Sequence, residues 1–246
     1  MKEKAQSIYD EYPELAIVEK KDINPDKKKV HSFVLRTNKL HTFQLDAVKN
    51  YYKHFGIGYN NEKLNFKKIF NNDKPVIIEI GFGTGESTQR IAKVRDEYNY
   101  LAIEVFLNGY TKLLSVIGEE QIENVRLMRF DAVAVLTDMI EDNSISGFHI
   151  FFPDPWPKKK HHKRRLIQRD FTNLLSKKLK TEGYIYCVTD WSEYADQMLE
   201  VLGKSDDLVN PFDGFAPSRE WRPTTKYERR GVNLDYNINE VWFEKR

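Results

Sequence analysis

The chain holds a single cysteine, Cys187, among its 246 residues. No intramolecular disulfide can form, and a reducing cytoplasm is the compartment such a composition suits. No stretch approaches the roughly 18 apolar residues of a membrane span. The opening MKEKAQSIYDEYPELAIVEKKD also lacks the apolar segment of a signal peptide. A soluble, cytoplasmic protein is expected. An excess of one charge is missing too: 39 Lys and Arg against 37 Asp and Glu leave a net +2, so any polyanion partner must be sought in a local cluster. Repeats and low-complexity segments are absent. His161 and His162 are adjacent, but no Cys, Asp or Glu stands near them at ligand spacing, so no metal is expected. What remains is 40% hydrophobic and 13% aromatic: a globular chain long enough to bury a core without metals or disulfides.

Residues 1–72 read as an N-terminal extension that is partly helical, with its mobility left open. One amphipathic helix is expected at about 41–54, with Leu45, Val48, Tyr51, Tyr52 and Phe55 on one face. From Pro75 the character changes, and residues 73–246 read as one domain. Apolar runs at PVIIEI, NYLAIEV (99–105), NVRLMRF (124–130), GFHIFF (147–152) and YIYCVT (184–189) read as buried strands. They alternate with helical spacing at 86–95, from Phe106 to Ile117, from Leu166 to Leu175, and at 192–202. The tail NINEVWFEKR reads as a last strand. Repeated β-α units predict an α/β fold, a doubly wound sheet with helices on both faces. Ligands of such sheets bind at the carboxyl ends of the strands.

At the first strand end stands Glu79-Ile80-Gly81-Phe82-Gly83-Thr84-Gly85. Its alternate glycines let a ligand approach the main chain. A dinucleotide turn would put its third glycine at position 86, which is Glu86. A carboxylate there is a poor neighbour for a pyrophosphate, but it tolerates the cationic methionyl end of S-adenosylmethionine. Glu104, about twenty residues past the turn, can accept from both ribose hydroxyls of an adenosyl group, or form a surface ion pair. Asp131, before Ala132, can accept from an adenine amino group, and it equally suits a helix N-cap.

The fourth strand runs into Pro153-Asp154-Pro155-Trp156-Pro157-Lys158. Three prolines in five positions make this loop stiff and short of backbone donors. They hold Asp154 at the strand end, and Trp156 offers a face for a base. The run from Lys158 to Arg165 has Lys or Arg at six of its eight positions, a patch able to bind phosphates. Asp190, after the fifth strand, either caps the next helix or faces a substrate. Thr225, Lys226, Tyr227 and Glu228 offer donors, an acceptor and a ring in four consecutive residues, suited to a nucleobase edge. An ordinary surface loop remains the alternative there.

On these pieces the chain resembles the bacterial tRNA (guanine-N7-)-methyltransferases. The matching segments are EIGFGTGE (79–86), IEV (103–105), FDA (130–132), FFPDPWPKKKHHKRRL (151–166), TDW (189–191) and TKYERRG (225–231), with HSFVLR (31–36) and Gln44 upstream. The likeness covers roughly residues 30–246. It implies a Rossmann-like class I fold with a mostly parallel seven-stranded sheet, S-adenosylmethionine as cofactor, and tRNA as partner, methylated at N7 of guanine-46. No obligate protein partner is implied. Carried over, Glu79, Gly81, Gly83, Gly85, Glu104, Asp131, Ala132 and Asp154 would hold the cofactor. Asp154 would be the catalytic position, and Lys158, Asp190 and Thr225 through Glu228 would contact the substrate. Two rival readings are an adenine N6-methyltransferase and a non-catalytic RNA-binding module. The first would want a second proline where Trp156 stands. The second is disfavoured by the intact Glu79, glycines and Asp154.

Overall fold

In a computed structural model of the chain, residues 5–17, 32–33, 40–224, 228 and 237–246 are described. An N-terminal helix α1 (Ala5–Glu11) is followed by a 3-10 turn at Pro13–Leu15 and then α2 (Thr42–Phe55). Next come β1 (Gly56–Ile57), α3 (Phe66–Phe70), β2 (Val76–Ile80), α4 (Glu86–Val94), β3 (Asn99–Ile103), α5 (Leu107–Glu119), β4 (Val125–Met128) and α6 (Ala132–Met139). The second half holds β5 (Ile145–Phe151), a 3-10 helix (Lys159–Arg164), α7 (Arg169–Lys178), β6 (Leu179–Thr189), α8 (Ser192–Gly203), β7 (Leu208–Val209) and β8 (Asn239–Lys245).

The strands form one sheet in the order β1-β4-β3-β2-β5-β6-β8-β7, with only β8 running against the others. All residues of β2, β3, β4 and β5 are buried, which explains their unbroken apolar runs: helices cover both faces. The sheet has eight strands rather than the expected seven. Six of them match the apolar runs read as strands; the other two are β7 and, at the far edge, β1, where Gly56 and Ile57 pair with Leu127 and Met128. Two residues carry too little pattern to be read as a strand. The chain winds outward from β2 through β3 to β4, then returns to β5 on the other side of β2. The adjacent ends of β2 and β5 are therefore the topological switch point.

Helix α2 follows the expected amphipathic pattern and buries Leu45, Val48, Tyr52 and Phe55. Each such side chain contributes about 1.5–3 kcal/mol. Gln44 closes a capping box on the His41 backbone N–H, and its amide donates to Thr111 Oγ1 (2.7 Å) on α5. The basic run does not open α7 as its apolar neighbours suggest. It forms its own 3-10 helix, and Leu166 and Ile167 precede α7 outside either helix, with the Ile167 N–H donating to the Tyr194 hydroxyl.

Candidate active site

A cavity of about 580 Å³ opens at the switch point. Its wall includes Gly81, Glu104, Asp131 and Ala132 from the strand ends, Phe152, Asp154 and Trp156 from the proline-rich loop, and Ser32 and Phe33 from the N-terminal part of the chain. Three adjacent strand ends and the proline-rich loop thus meet as the spacing predicts. Glu79, Gly83 and Gly85 stand behind the wall rather than in it.

The glycines do different work. Gly81 (φ 77°) and Gly83 (φ 58°) adopt left-handed backbone, and a side chain built on either would point into open space. Gly81 thus presents bare backbone to the cavity, with Gly83 behind it in the same turn. A Cβ on Gly85 would instead strike the Leu113 side chain at 2.6 Å, so that glycine lets α5 pack beneath the turn. Gly109 completes the arrangement, since its Cβ would sit 1.8 Å from the Gly83 carbonyl oxygen. Sequence reading passed over Gly109. A glycine inside a helix, where it is destabilising, was the available signal.

Glu104 is buried and braces the turn: it accepts from the N–H of Gly83 (2.7 Å), Val105 (2.7 Å) and Phe106 (3.0 Å). Burial raises its carboxyl above the usual range, opposed by these bonds and reinforced by Asp154 nearby. Glu79 is buried beneath the turn. Neither its Oε2 nor the neighbouring Thr88 hydroxyl has a hydrogen-bond partner of normal geometry. Burial pushes the Glu79 carboxyl up to about 7, with Thr88 opposing and Glu104 adding to the shift. Asp131 caps α6, its Oδ1 accepting from the Val133 N–H at 2.9 Å, and also lines the cavity. Cap and ligand-facing residue are here the same carboxylate.

Phe152 (φ 50°) and Trp156 (φ 45°) are left-handed non-glycine residues on either side of exposed Asp154. Such strain persists only where the surroundings enforce it, and it clusters at functional sites. Trp156 is held by a bond from its indole N–H to the Ser32 carbonyl (3.3 Å) and by the Arg164 guanidinium, 4.0 Å above its ring.

The basic run divides. Lys158, Lys159, Lys160 and Lys163 are exposed, but Arg165 is buried. Arg165 donates to the Pro155 carbonyl (2.8 Å) and to Gln197 Oε1 (2.5 Å) and packs over the Tyr194 ring. The expectation that the whole run meets phosphates is corrected for Arg165, which anchors the loop to α8. Asp190 is half-buried and does not cap α8: Trp191 holds that position, and no bond of the Asp190 carboxylate is found among the described residues. Neither Asp190 nor Lys158 lines the cavity. Thr225, Lys226 and Tyr227 lie outside the described residues. Glu228 is buried and paired with Arg222 in a two-pronged bond (2.8 and 2.7 Å). Arg222 also donates to Glu240 (2.8 Å) and to the Tyr186 hydroxyl (3.0 Å).

Carboxylates thus crowd the interior of the site, and lysines stand outside it. A positively charged nucleoside suits this interior, and a pyrophosphate does not. With β8 reversed between β6 and β7, and the glycine turn at the switch point, fold and site define a Rossmann-like class I methyltransferase. A sequence-family model described as "Putative methyltransferase" matches residues 73–241. The tRNA (guanine-N(7)-)-methyltransferase of Neisseria meningitidis serogroup C / serotype 2a (strain FAM18) is 45% identical over 218 residues, 89% of this chain and 92% of that protein. Those of Paraburkholderia xenovorans (strain LB400) and Bordetella pertussis (strain Tohama I) are each 43% identical, covering 89% and 94% of this chain and 85% and 91% of theirs. The chain belongs to the tRNA (guanine-N(7)-)-methyltransferase family. Among solved structures, the 16S rRNA methyltransferase KamB aligns over 74% of this chain and 93% of its own, with a TM-score of 0.51 at 9% identity, a likeness of fold.

Proposed function

We propose that this enzyme transfers a methyl group from S-adenosylmethionine to N7 of guanine-46 in the variable loop of tRNA. The observation that carries the reading is the joining of two surfaces of opposite charge at one strand end: the carboxylate-lined cavity and the exposed lysines that follow Asp154. The bare backbone at Gly81 and Gly83 and the orphaned Glu79 oxygen fit the cofactor. Glu104 would take the ribose, Asp131 and Ala132 the adenine, and Glu79 the positive end through the turn it supports. Bound there, S-adenosylmethionine supplies an electrophilic methyl group on a sulfonium.

Guanine N7 carries a lone pair and no proton, so no general base is required. The chain's task is alignment, worth roughly 7–11 kcal/mol of a barrier when reactants are well held. Asp154 would accept hydrogen bonds from the guanine or orient the methionyl amine, and its charge would stabilise the positive charge passing to the purine. Trp156 would stack on a base. Lys158 and the lysines after it would hold phosphates, and Asp190, Thr225, Lys226 and Tyr227 would meet the substrate, whereas Glu228, buried and taken up by Arg222, would anchor that segment instead of touching the RNA. Nucleoside mass spectrometry of tRNA incubated with the enzyme and S-adenosylmethionine tests the chemistry. A transcript with adenine at position 46 tests the place: continued 7-methylguanosine formation in that transcript would sink the assignment to guanine-46.

A further inference from the structure

A second cavity, of about 600 Å³, lies beyond the sheet edge, between the N-terminal segment and the start of β1. Tyr12 and Glu14 form one side of it, Lys49, Tyr52 and Lys53 of α2 another, and Tyr59 closes it. The Tyr59 ring stacks on Phe130 at 3.9 Å, nearly parallel, and Phe130 lines the first cavity. The two cavities therefore share one wall.

Their chemistry differs. Lys49 and Lys53 stand one helical turn apart, are exposed, and have no ion pair among the described residues. Other lysines nearby are engaged: Lys63 donates to the Thr137 and Ile140 carbonyls, and Lys67 pairs with Asp73. Tyr12 is half-buried, edge-on to Tyr52 at 5.5 Å. Burial and the nearby Glu14 carboxylate raise the Tyr52 hydroxyl above its usual range, and the Glu14 oxygens are acceptors in a wall otherwise rich in donors and rings. The arrangement is two cations without an ion pair among the described residues for a phosphate, an aromatic edge for a base, and a carboxylate for an amino group on that base. Those are the elements by which single-stranded RNA is held. The segment is also fixed in place, because the buried Arg129 guanidinium joins the Leu15 carbonyl to the Val105 carbonyl (3.1 Å for the latter), and Val105 lines the first cavity.

We propose that this second cavity binds an unpaired nucleotide of the RNA substrate, its phosphate on Lys49 and Lys53 and its base against Tyr12 and Glu14, while the target guanine occupies the first. The proposal rests on the RNA-methylating reading above and extends the RNA footprint past the cofactor to the N-terminal segment. The test uses the full chain and an unmodified tRNA transcript. Lys49→Gln/Lys53→Gln should weaken tRNA binding about tenfold at low salt, and the log–log salt slope should fall by roughly one to two units. Tyr12→Leu keeps an apolar contact with Tyr52 and removes the ring. It should weaken binding several-fold with the salt slope unchanged. Ultraviolet crosslinking of 4-thiouridine-containing tRNA should mark peptides holding Tyr12 or Tyr52. Thermal melts and S-adenosylhomocysteine affinity, measured on the same samples, should match the parent. Parental affinity and slope in folded variants, with no crosslink near Tyr12, would overturn the proposal while leaving the methylation reading intact. Failure of the parent enzyme to bind tRNA would remove both. A crosslinked protein partner in place of RNA would also overturn it.

Discussion

A carboxyl group buried with an unpartnered oxygen resists ionisation, and Glu79 is such a group, with its carboxyl held up at about 7. Its folded value exceeds the ordinary 4.5. Its contribution to stability is therefore full below that ordinary value and is lost as pH rises through about 7. A cationic cofactor favours the ionised form. S-adenosylmethionine affinity should rise with pH up to about 7 and level off, with protons released on binding. Calorimetry in buffers of different ionisation enthalpy measures both, and Glu79→Gln should flatten the profile. A profile unchanged by Glu79→Gln would assign the titration elsewhere. At Asp154 the expected effect is on chemistry. Because the residue is exposed and held by its flanking prolines, Asp154→Ala should leave the melting temperature within a degree or so of the parent. Single-turnover methyl transfer should drop about 100-fold or more. Rapid-quench methylation at saturating enzyme reads this, and near-parental transfer would reduce Asp154 to a turn residue.

At the scale of elements, the loop from Pro153 to Arg165 separates into an anchor and a presenting face. Lys159→Gln/Lys160→Gln/Lys163→Gln should weaken tRNA binding and lower the salt slope by somewhat under one unit per lost contact. Arg165→Met should act differently. It leaves the Pro155 carbonyl and Gln197 without their donor, so the fold should lose about 1–3 kcal/mol. Urea melts of the two variants separate the effects, and equal destabilisation by both would contradict the division. Here the limits of sequence reading become physical. Lys163, Arg164 and Arg165 are alike in charge, and only the packing of α8 against the loop decides which of them faces water. The glycine turn, Glu104, Asp131 and Asp154 were legible because each occupies a strand end, and strand ends follow from hydrophobic runs. The Glu79 environment, Gly109 and the second cavity were not, because they depend on contacts between segments far apart in the chain.

Across the whole molecule, the last strand ties the C-terminal part of the chain to the sheet. Arg222 joins Glu228 and Glu240 and touches Tyr186 of β6, all of them buried. Removing one member of such a network is costly because charges are stranded, whatever the network contributes as a whole. Arg222→Met should destabilise the fold by about 3–5 kcal/mol, with Arg222→Lys retaining part of the loss. Chemical denaturation measures the difference, and a loss below about 1 kcal/mol would show that water reaches the two carboxylates. The eight-stranded sheet was mostly readable as an alternation of patterns. Its edge was not, because β1 pairs through only two residues, and their place is set by β4 rather than by their own sequence.

The crowding of carboxylates around the cofactor cavity has a consequence for the direction of turnover. The methyl donor carries a positive sulfur, whereas the sulfur of the spent S-adenosylhomocysteine is neutral. Glu104 interacts through space with Glu79 on one side and Asp154 on the other, so the field of this group distinguishes the two molecules by charge at that atom alone. The enzyme should hold fresh donor in preference to exhausted donor and be only weakly inhibited by its own product. Titrating both molecules into the parent and Asp154→Asn should show that preference shrinking when one negative charge is removed. A preference unchanged by Asp154→Asn would mean that shape, rather than charge, clears the site for the next cycle.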